Sequence, residues 1–241
     1  MSSRGGRDAA ESAGAESAPA DAVQHKNEPP AQAATPTQEQ SSPPAETPHV
    51  KARVGIQAGH WKASEQAAEL ASLRGSTGAQ GNGWREVDIN LDIAKRVAAL
   101  LESWGVTVDL IPATVPIRYA ADAFVALHGD ANSSTTLSGY KLARSSRSSI
   151  PSKDDALLNA ISQQYAAATG LPFHAATITV NMTSYYAFAN QGIQHSIAPT
   201  TPGVILEMGF LTTPKDRKLL MEQPDVAAQG IAKGILKFLG L

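Results

Sequence analysis

Residues Glu86–Ile111 read EVDINLDIAKRVAALLESWGVTVDLI, and this stretch decides the fold class. Val87, Asn90/Leu91, Ala94, Val97/Ala98, Leu101 and Trp104 recur at three- and four-residue intervals, the period of a helix with one buried stripe. Gly105 supplies the stop, and Val106–Ile111 then alternates as a strand. Upstream, Val54-Gly55-Ile56-Gln57-Ala58 is a short apolar run ending at Gly59-His60, the pattern of a buried strand. A polar, glycine-rich connection with a short helix around Glu65–Leu73 joins the two.

The same alternation continues downstream. Asp122–Leu127 reads as a buried strand ending at His128, and Gly139–Ala143 as another strand. Ser152 with Asp155 resembles a capping box opening a helix that ends near Gly170. Pro202-Gly203 precedes a strand ending at Glu207, and Thr213-Pro214 is an N-cap with proline at the first helical position. A last amphipathic helix runs from about Pro224 to Leu239, with Val226, Ile231, Ile235 and Leu239 inward. Strands alternating with helices predict an α/β domain: a single mixed, mostly parallel sheet flanked by helices, covering residues 51–241.

Residues 1–50 are different. They hold seven prolines and no Leu, Ile, Phe, Tyr or Trp, too little apolar surface to offset the entropy of ordering. They are expected to form a disordered linker, in which His25 and His49 are inert.

Net charge is −2, so no polyanionic partner such as nucleic acid is called for. No apolar run approaches the roughly 20 residues that span a bilayer. The opening MSSRGGRDAAESAGAES shows no apolar segment of the kind a secretory leader carries. Cysteine is absent, so disulfides and thiol chemistry are excluded, and any metal must be held by His, Asp or Glu.

Three strand candidates end in groups suited to metal chemistry: His60, His128 and Glu207. A fourth such group, Glu86, opens the long helix, where the positive end of the dipole favours a carboxylate. In α/β sheets, ligands gather beyond the carboxyl ends of the strands, so these four groups are expected to converge there. Two imidazoles and one carboxylate suit a catalytic zinc, which supplies Lewis acidity to a carbonyl and makes water acidic enough to ionise near neutral pH. Glu207, inside the apolar run ILEMGFL, needs a partner or a function.

The segments VGIQAGH, GWREVDINLDIAKRVAALLESWGVTV, ADAFVALHGDAN and TPGVILEMGFLTTPKDRKLL resemble, in order, the motifs of the zinc-dependent N-acetylmuramoyl-L-alanine amidases. The resemblance implies that His60, Glu86 and His128 are zinc ligands and Glu207 the catalytic acid/base. It implies hydrolysis of the amide between N-acetylmuramic acid and L-alanine in bacterial peptidoglycan, a substrate found at the cell envelope or outside the cell. A monomer is expected. Departures are a longer segment after the first histidine that includes Trp61, and Ala126-Leu127-His128 in place of Ser-Ile-His. VPIRYAADAFVALH leaves almost no room for the helix that precedes the second histidine in the family, and Arg118 receives no role.

Other residues carry weaker expectations. Glu65 and Glu69 are fallback ligands to Glu86. Asp130 and Asn132 either orient His128 or serve a turn. Tyr185, Tyr186 and Phe188 form either a satellite apolar cluster or a groove wall. His195 is expected to be a solvated loop residue and His174 to sit in a loop or at a strand edge. Two other functions use the same features. A carboxypeptidase-like zinc peptidase would yield shortened stem peptides. A non-catalytic wall-binding module would retain cell wall without turnover.

Overall fold

The computed structural model describes residues 51–81 and 83–241, so the expectations for the linker over 1–50 fall outside the described residues. A five-stranded sheet organises the rest. In chain order, the elements are β1 (Arg53–Ala58), the two-residue strands β2 (Gln80–Gly81) and β3 (Trp84–Arg85), α1 (Glu86–Ser103), β4 (Thr107–Ile111), β5 (Ala123–Asp130) and β6 (Lys141–Arg144). They continue with α2 (Pro151–Thr169), α3 (Val180–Thr183), β7 (Gly203–Phe210), α4 (Pro214–Glu222) and α5 (Pro224–Leu239). The main sheet runs β4-β1-β5-β7-β6, with every pairing parallel except β6 against β7. A mixed, mostly parallel sheet is therefore what the chain forms. β2 and β3 pair separately as a small antiparallel ribbon.

Strand side chains alternate between faces, and the two faces are covered differently. Val54, Ile56, Val125, Leu127, Val204 and Leu206 face α1, α2 and α5 in the larger core. The opposite face carries Phe124, Ala126 and Ile205, which meet Met182, Tyr185, Phe188 and Ile197. This second cover comes from the connection between α2 and β7, which holds little regular structure beyond the four-residue α3. Gln57, His128 and Glu207 fall on this face by the same alternation, and of the long helices only the first turn of α1 reaches them, through Glu86 against His128.

Several local expectations change. β5 runs on through His128 to Asp130, and β7 through Glu207 to Phe210. Both side chains thus sit inside strands rather than after them, because pairing resumes between Asp130 and Phe210 beyond an irregularity in the ladder. The segment after β1 forms two 3₁₀ turns, Ala63–Glu65 and Ala68–Leu73, instead of one helix. Trp104 closes α1 and is 63% exposed, so it lies off the buried stripe. Ser152 is not a cap: α2 starts behind Ile150 with Pro151 at its first position, and Asp155 pairs with Arg144. Thr213 does precede α4, but its hydroxyl donates to Leu137 O instead of capping the helix.

Candidate metal centre

The parallel order brings the ends of β1 and β5 side by side, with Ala58 opposite Leu127. His60 follows β1 in a left-handed conformation (φ 64°), a strained choice for a residue with a side chain. Gly59 makes room for its neighbour. A Cβ there would stand 2.4 Å from His128 Cε1, so the ring of His128 lies directly on the Gly59 backbone. The two imidazoles meet edge to face, with centroids 4.9 Å apart.

Glu86 joins them from the first turn of α1. Its Oε1 lies 3.2 Å from His60 Nε2 and 3.2 Å from His128 Nδ1. One donor atom from each of the three residues falls within 4.8 Å of the others. The carboxylate is firmly held: Oε2 accepts from Ala79 N at 2.8 Å, and Oε1 accepts from Asn90 Nδ2 and Gly129 N, each at 3.2 Å. Glu65 is exposed and Glu69 is engaged elsewhere, so neither fallback reaches this group.

Protonation follows from these contacts. Burial opposes ionisation of Glu86, yet the hydrogen bonds and charges of His128 and His60 outweigh it and hold the carboxyl well below its usual range. Burial also opposes charge on His60, but Glu86 wins and its pKa lies above 6.5. For the fully enclosed His128, burial prevails and its pKa is lowered. Ser76 O, 2.8 Å from His60 Nδ1, can only accept, so Nδ1 carries the hydrogen. Neutral His60 therefore turns a lone pair of Nε2 on the Glu86 carboxylate. Two acceptors in that relation need a proton or a cation between them, and the donor set fits a divalent ion such as zinc.

Glu207 stands opposite His128 in the β5–β7 register. It is partly buried, and its Oε2 is closed off without a hydrogen-bond partner among the described residues. Burial, then the nearby charges of Glu86 and Asp130, push its carboxyl up to about 8. An orphaned acid beside a metal-type cluster is the arrangement expected of a proton carrier.

A cavity of about 360 Å³ opens beside the cluster, lined by His60, His128, Gln66, Asn181, Ser184 and Tyr186 among others. Tyr185 and Phe188 belong to the second core while Tyr185 and Tyr186 also line this cavity, so both expectations for the aromatic group hold in part. Asp130 pairs with Lys141 Nζ at 2.5 Å, and Asn132 Oδ1 accepts from Ser134 N in a turn. The residue that touches the far nitrogen of His128 is Tyr185 instead. His195 Nδ1 binds Glu69 Oε1 at 2.6 Å rather than resting in solvent. His174 precedes a 3₁₀ turn and packs on Phe210, and exposed Arg118 offers its backbone N–H to Gln194 O. Ser76, Gln57 and Asn90 escape the sequence reading. Only Asn90 leaves a trace there, four residues from Glu86 on the same helix face.

Known proteins share this fold. Among solved structures, the catalytic domain of CwlV, an N-acetylmuramoyl-L-alanine amidase from Bacillus (Paenibacillus) polymyxa, is similar with TM-score 0.54 and 22% identity, over 78% of this chain and 98% of that one. The amidase Ami1 of Mycobacterium smegmatis gives TM-score 0.54 and 21% identity, over 78% and 97%. CwlD of Clostridioides difficile, solved in complex with the GerS lipoprotein, gives 0.55 and 20%, over 79% and 99%. At these identities the likeness establishes the fold. A search of curated proteins finds no match. The family profile described as N-acetylmuramoyl-L-alanine amidase matches residues 54–237, which takes in all of the sheet but Arg53 and includes His60, Glu86, His128 and Glu207. The chain belongs to the N-acetylmuramoyl-L-alanine amidase family.

Proposed function

We propose that the chain is a zinc-dependent amidase that hydrolyses the bond between the lactyl group of N-acetylmuramic acid and L-alanine in bacterial peptidoglycan. The observation that carries this reading is the meeting of two ring nitrogens and a carboxylate within 4.8 Å, beside an unpartnered buried acid, in a chain of this family. His60, Glu86 and His128 would hold the ion. When bound, zinc supplies Lewis acidity to the scissile carbonyl and makes water ionisable near neutral pH.

The protein's own groups do the rest. With a cation's charge held beside it, Glu207 would ionise, take a proton from the attacking water on its carboxylate and deliver it to the departing nitrogen of L-alanine. Ser76 O and Asn90 fix the orientations of His60 and Glu86, so the donors need no rearrangement. The cavity floored by the two histidines admits the lactyl–alanine linkage, with Gln66, Asn181 and Ser184 offering polar contacts to the peptide. Such a substrate sets the site of action at the cell envelope or outside the cell. Among the described residues, no helix is long and apolar enough to cross a membrane.

The test pairs metal content with product analysis on purified peptidoglycan. The expected products are free muramyl lactyl carboxylates and stem peptides with a new L-alanine amino terminus. Chelation should abolish their release, and zinc should restore it. Glu207→Gln should keep its zinc and lose about 100- to 10,000-fold in rate, the usual worth of a general acid/base. Shortened stem peptides would assign a peptidase instead, and wall binding without turnover in zinc-loaded protein would refute catalysis.

A further inference from the structure

Gln57, Tyr185 and His128 form a line of buried polar side chains on the sheet face that carries Glu207. The line starts at backbone. Gln57 Nε2 lies 3.2 Å from Pro112 O and 3.1 Å from Ala113 O. Carbonyl oxygens only accept, so the amide must turn its NH2 group to them and its Oε1 the other way. The Tyr186 hydroxyl agrees with this assignment: it donates to Ala113 O and accepts from the same Nε2.

Gln57 Oε1 then faces the Tyr185 hydroxyl at 2.9 Å. Tyr185 owns a single hydroxyl hydrogen, and Gln57 Oε1 has no other hydrogen-bond donor among the described residues. Leaving that buried oxygen unpaired is costly, so the hydrogen is committed to Gln57. What Tyr185 offers His128 Nε2, 3.1 Å away, is therefore a lone pair. Nε2 must carry the hydrogen of the neutral ring, and Nδ1 must be bare. Nδ1 is the atom aimed at Glu86 Oε1.

We propose that Gln57, acting through Tyr185, locks His128 in its Nε2–H tautomer and so presents Nδ1 as a lone-pair donor in the His60–Glu86–His128 cluster. Gln57 and Tyr185 are positioning residues. Without them, the ring would gain by flipping its tautomer and giving Nδ1–H to the Glu86 carboxylate, which would block the nitrogen against a cation. The benefit for metal capture rests on the zinc reading above, whereas the tautomer itself does not.

The test begins with metal-free protein containing nitrogen-labelled histidine, studied by NMR at mildly alkaline pH. The His128 signals are assigned by their loss in His128→Gln. The wild-type ring should show hydrogen on Nε2 and a pyridine-type Nδ1. Hydrogen on Nδ1 overturns the proposal without any further variant. In Tyr185→Phe, the hydrogen should move to Nδ1, and zinc affinity should fall about 10- to 100-fold, as for loss of an orienting partner. Gln57→Met leaves Tyr185 in place but frees its hydrogen for His128, and should produce the same tautomer change. A merely structural role for the tyrosine ring predicts no change in Gln57→Met. An unaltered tautomer in both variants overturns the relay. Wild-type protein that shows Nε2–H but takes up no zinc would uphold the tautomer assignment and sink the zinc reading, so the two fail separately.

Discussion

Glu207 on β7 stands directly opposite His128 on β5, and among the described residues its Oε2 is shut from solvent and has no hydrogen-bond partner. Neighbouring parallel strands thus hold a neutral-leaning imidazole and a proton-retaining acid at one level of the sheet. Their environments push their pKa values in opposite directions, His128 down and Glu207 up. Groups separated in this way are suited to different tasks, electron-pair donation for one and proton transfer for the other.

Glu86→Gln tests the carboxylate of the cluster. The amide keeps the shape and the i, i+4 contact with Asn90 but cannot supply an anion to the ion. Zinc affinity should fall by more than the roughly 10- to 100-fold that an outer partner is worth. Competition against a chromophoric chelator measures it. Unchanged affinity would remove Glu86 from the ligand set.

The raised carboxyl of Glu207 has a signature in the stability of metal-free protein. Its folded value of about 8 lies above the ordinary 4.5, so the folded state keeps a proton that the unfolded state releases between those values. Folding stability from this group must then fall as pH rises through that window, and the penalty is absent below it. Glu207→Gln removes the effect. Its stability relative to wild type should climb with pH, reaching on the order of 3 kcal/mol above the upper end of the window once partial solvent access is allowed for. Urea unfolding of chelator-treated protein at several pH values measures it, and a pH-independent difference would refute the raised value.

Gly59→Ala should damage the cluster through shape alone. The new methyl would enter within 2.6 Å of three atoms of the His128 ring, and the ring is backed by Tyr185. Overpacking of this kind costs about 1–3 kcal/mol. Zinc affinity should drop together with the thermal midpoint, because the displaced ring is a donor. A variant with normal metal uptake would show that the ring can move without loss.

Asp216→Ala addresses the end of β7. The carboxylate is fully buried and accepts from Ser138 Oγ at 2.6 Å, Gly139 N at 2.9 Å and Phe210 N at 3.0 Å. Truncation strands two buried amide donors, at about 1–3 kcal/mol each before relaxation, and the half-buried Ser138 hydroxyl. A loss of about 3 kcal/mol or more in chemical unfolding is expected. A change within 0.5 kcal/mol, the range of ordinary surface substitutions, would contradict the contacts.

The helix from Glu86 is legible in sequence because its apolar residues keep a strict three-four spacing and Gly105 ends it. His60, His128 and Glu207 are legible as candidates because each interrupts or follows an apolar run, and Glu86 because it opens the helix, but their proposed roles come from resemblance to a family rather than from spacing. Strand ends are harder to read. Gly129-Asp130 and Met208-Gly209-Phe210 continue the ladder after the polar side chain, and backbone pairing leaves no mark in side-chain type. The partners of the candidates are hidden for another reason. Gln57 and Tyr185 are 128 residues apart, and a hydrogen bond across that separation has no local pattern. His195 with Glu69 is the same case at 126 residues.

The uneven covering of the sheet has a consequence for how such a domain diversifies. The donors hang from β1, α1 and β5, rigid parts buttressed by the helical layer. The cavity wall comes from irregular connections at residues 61–76 and 181–186, joined to the scaffold through turns and side-chain contacts. Changes in those connections that spare Ser76 and Tyr185 leave the contacts of His60 and His128 in place, so preference among wall chemistries can drift while the cluster is preserved.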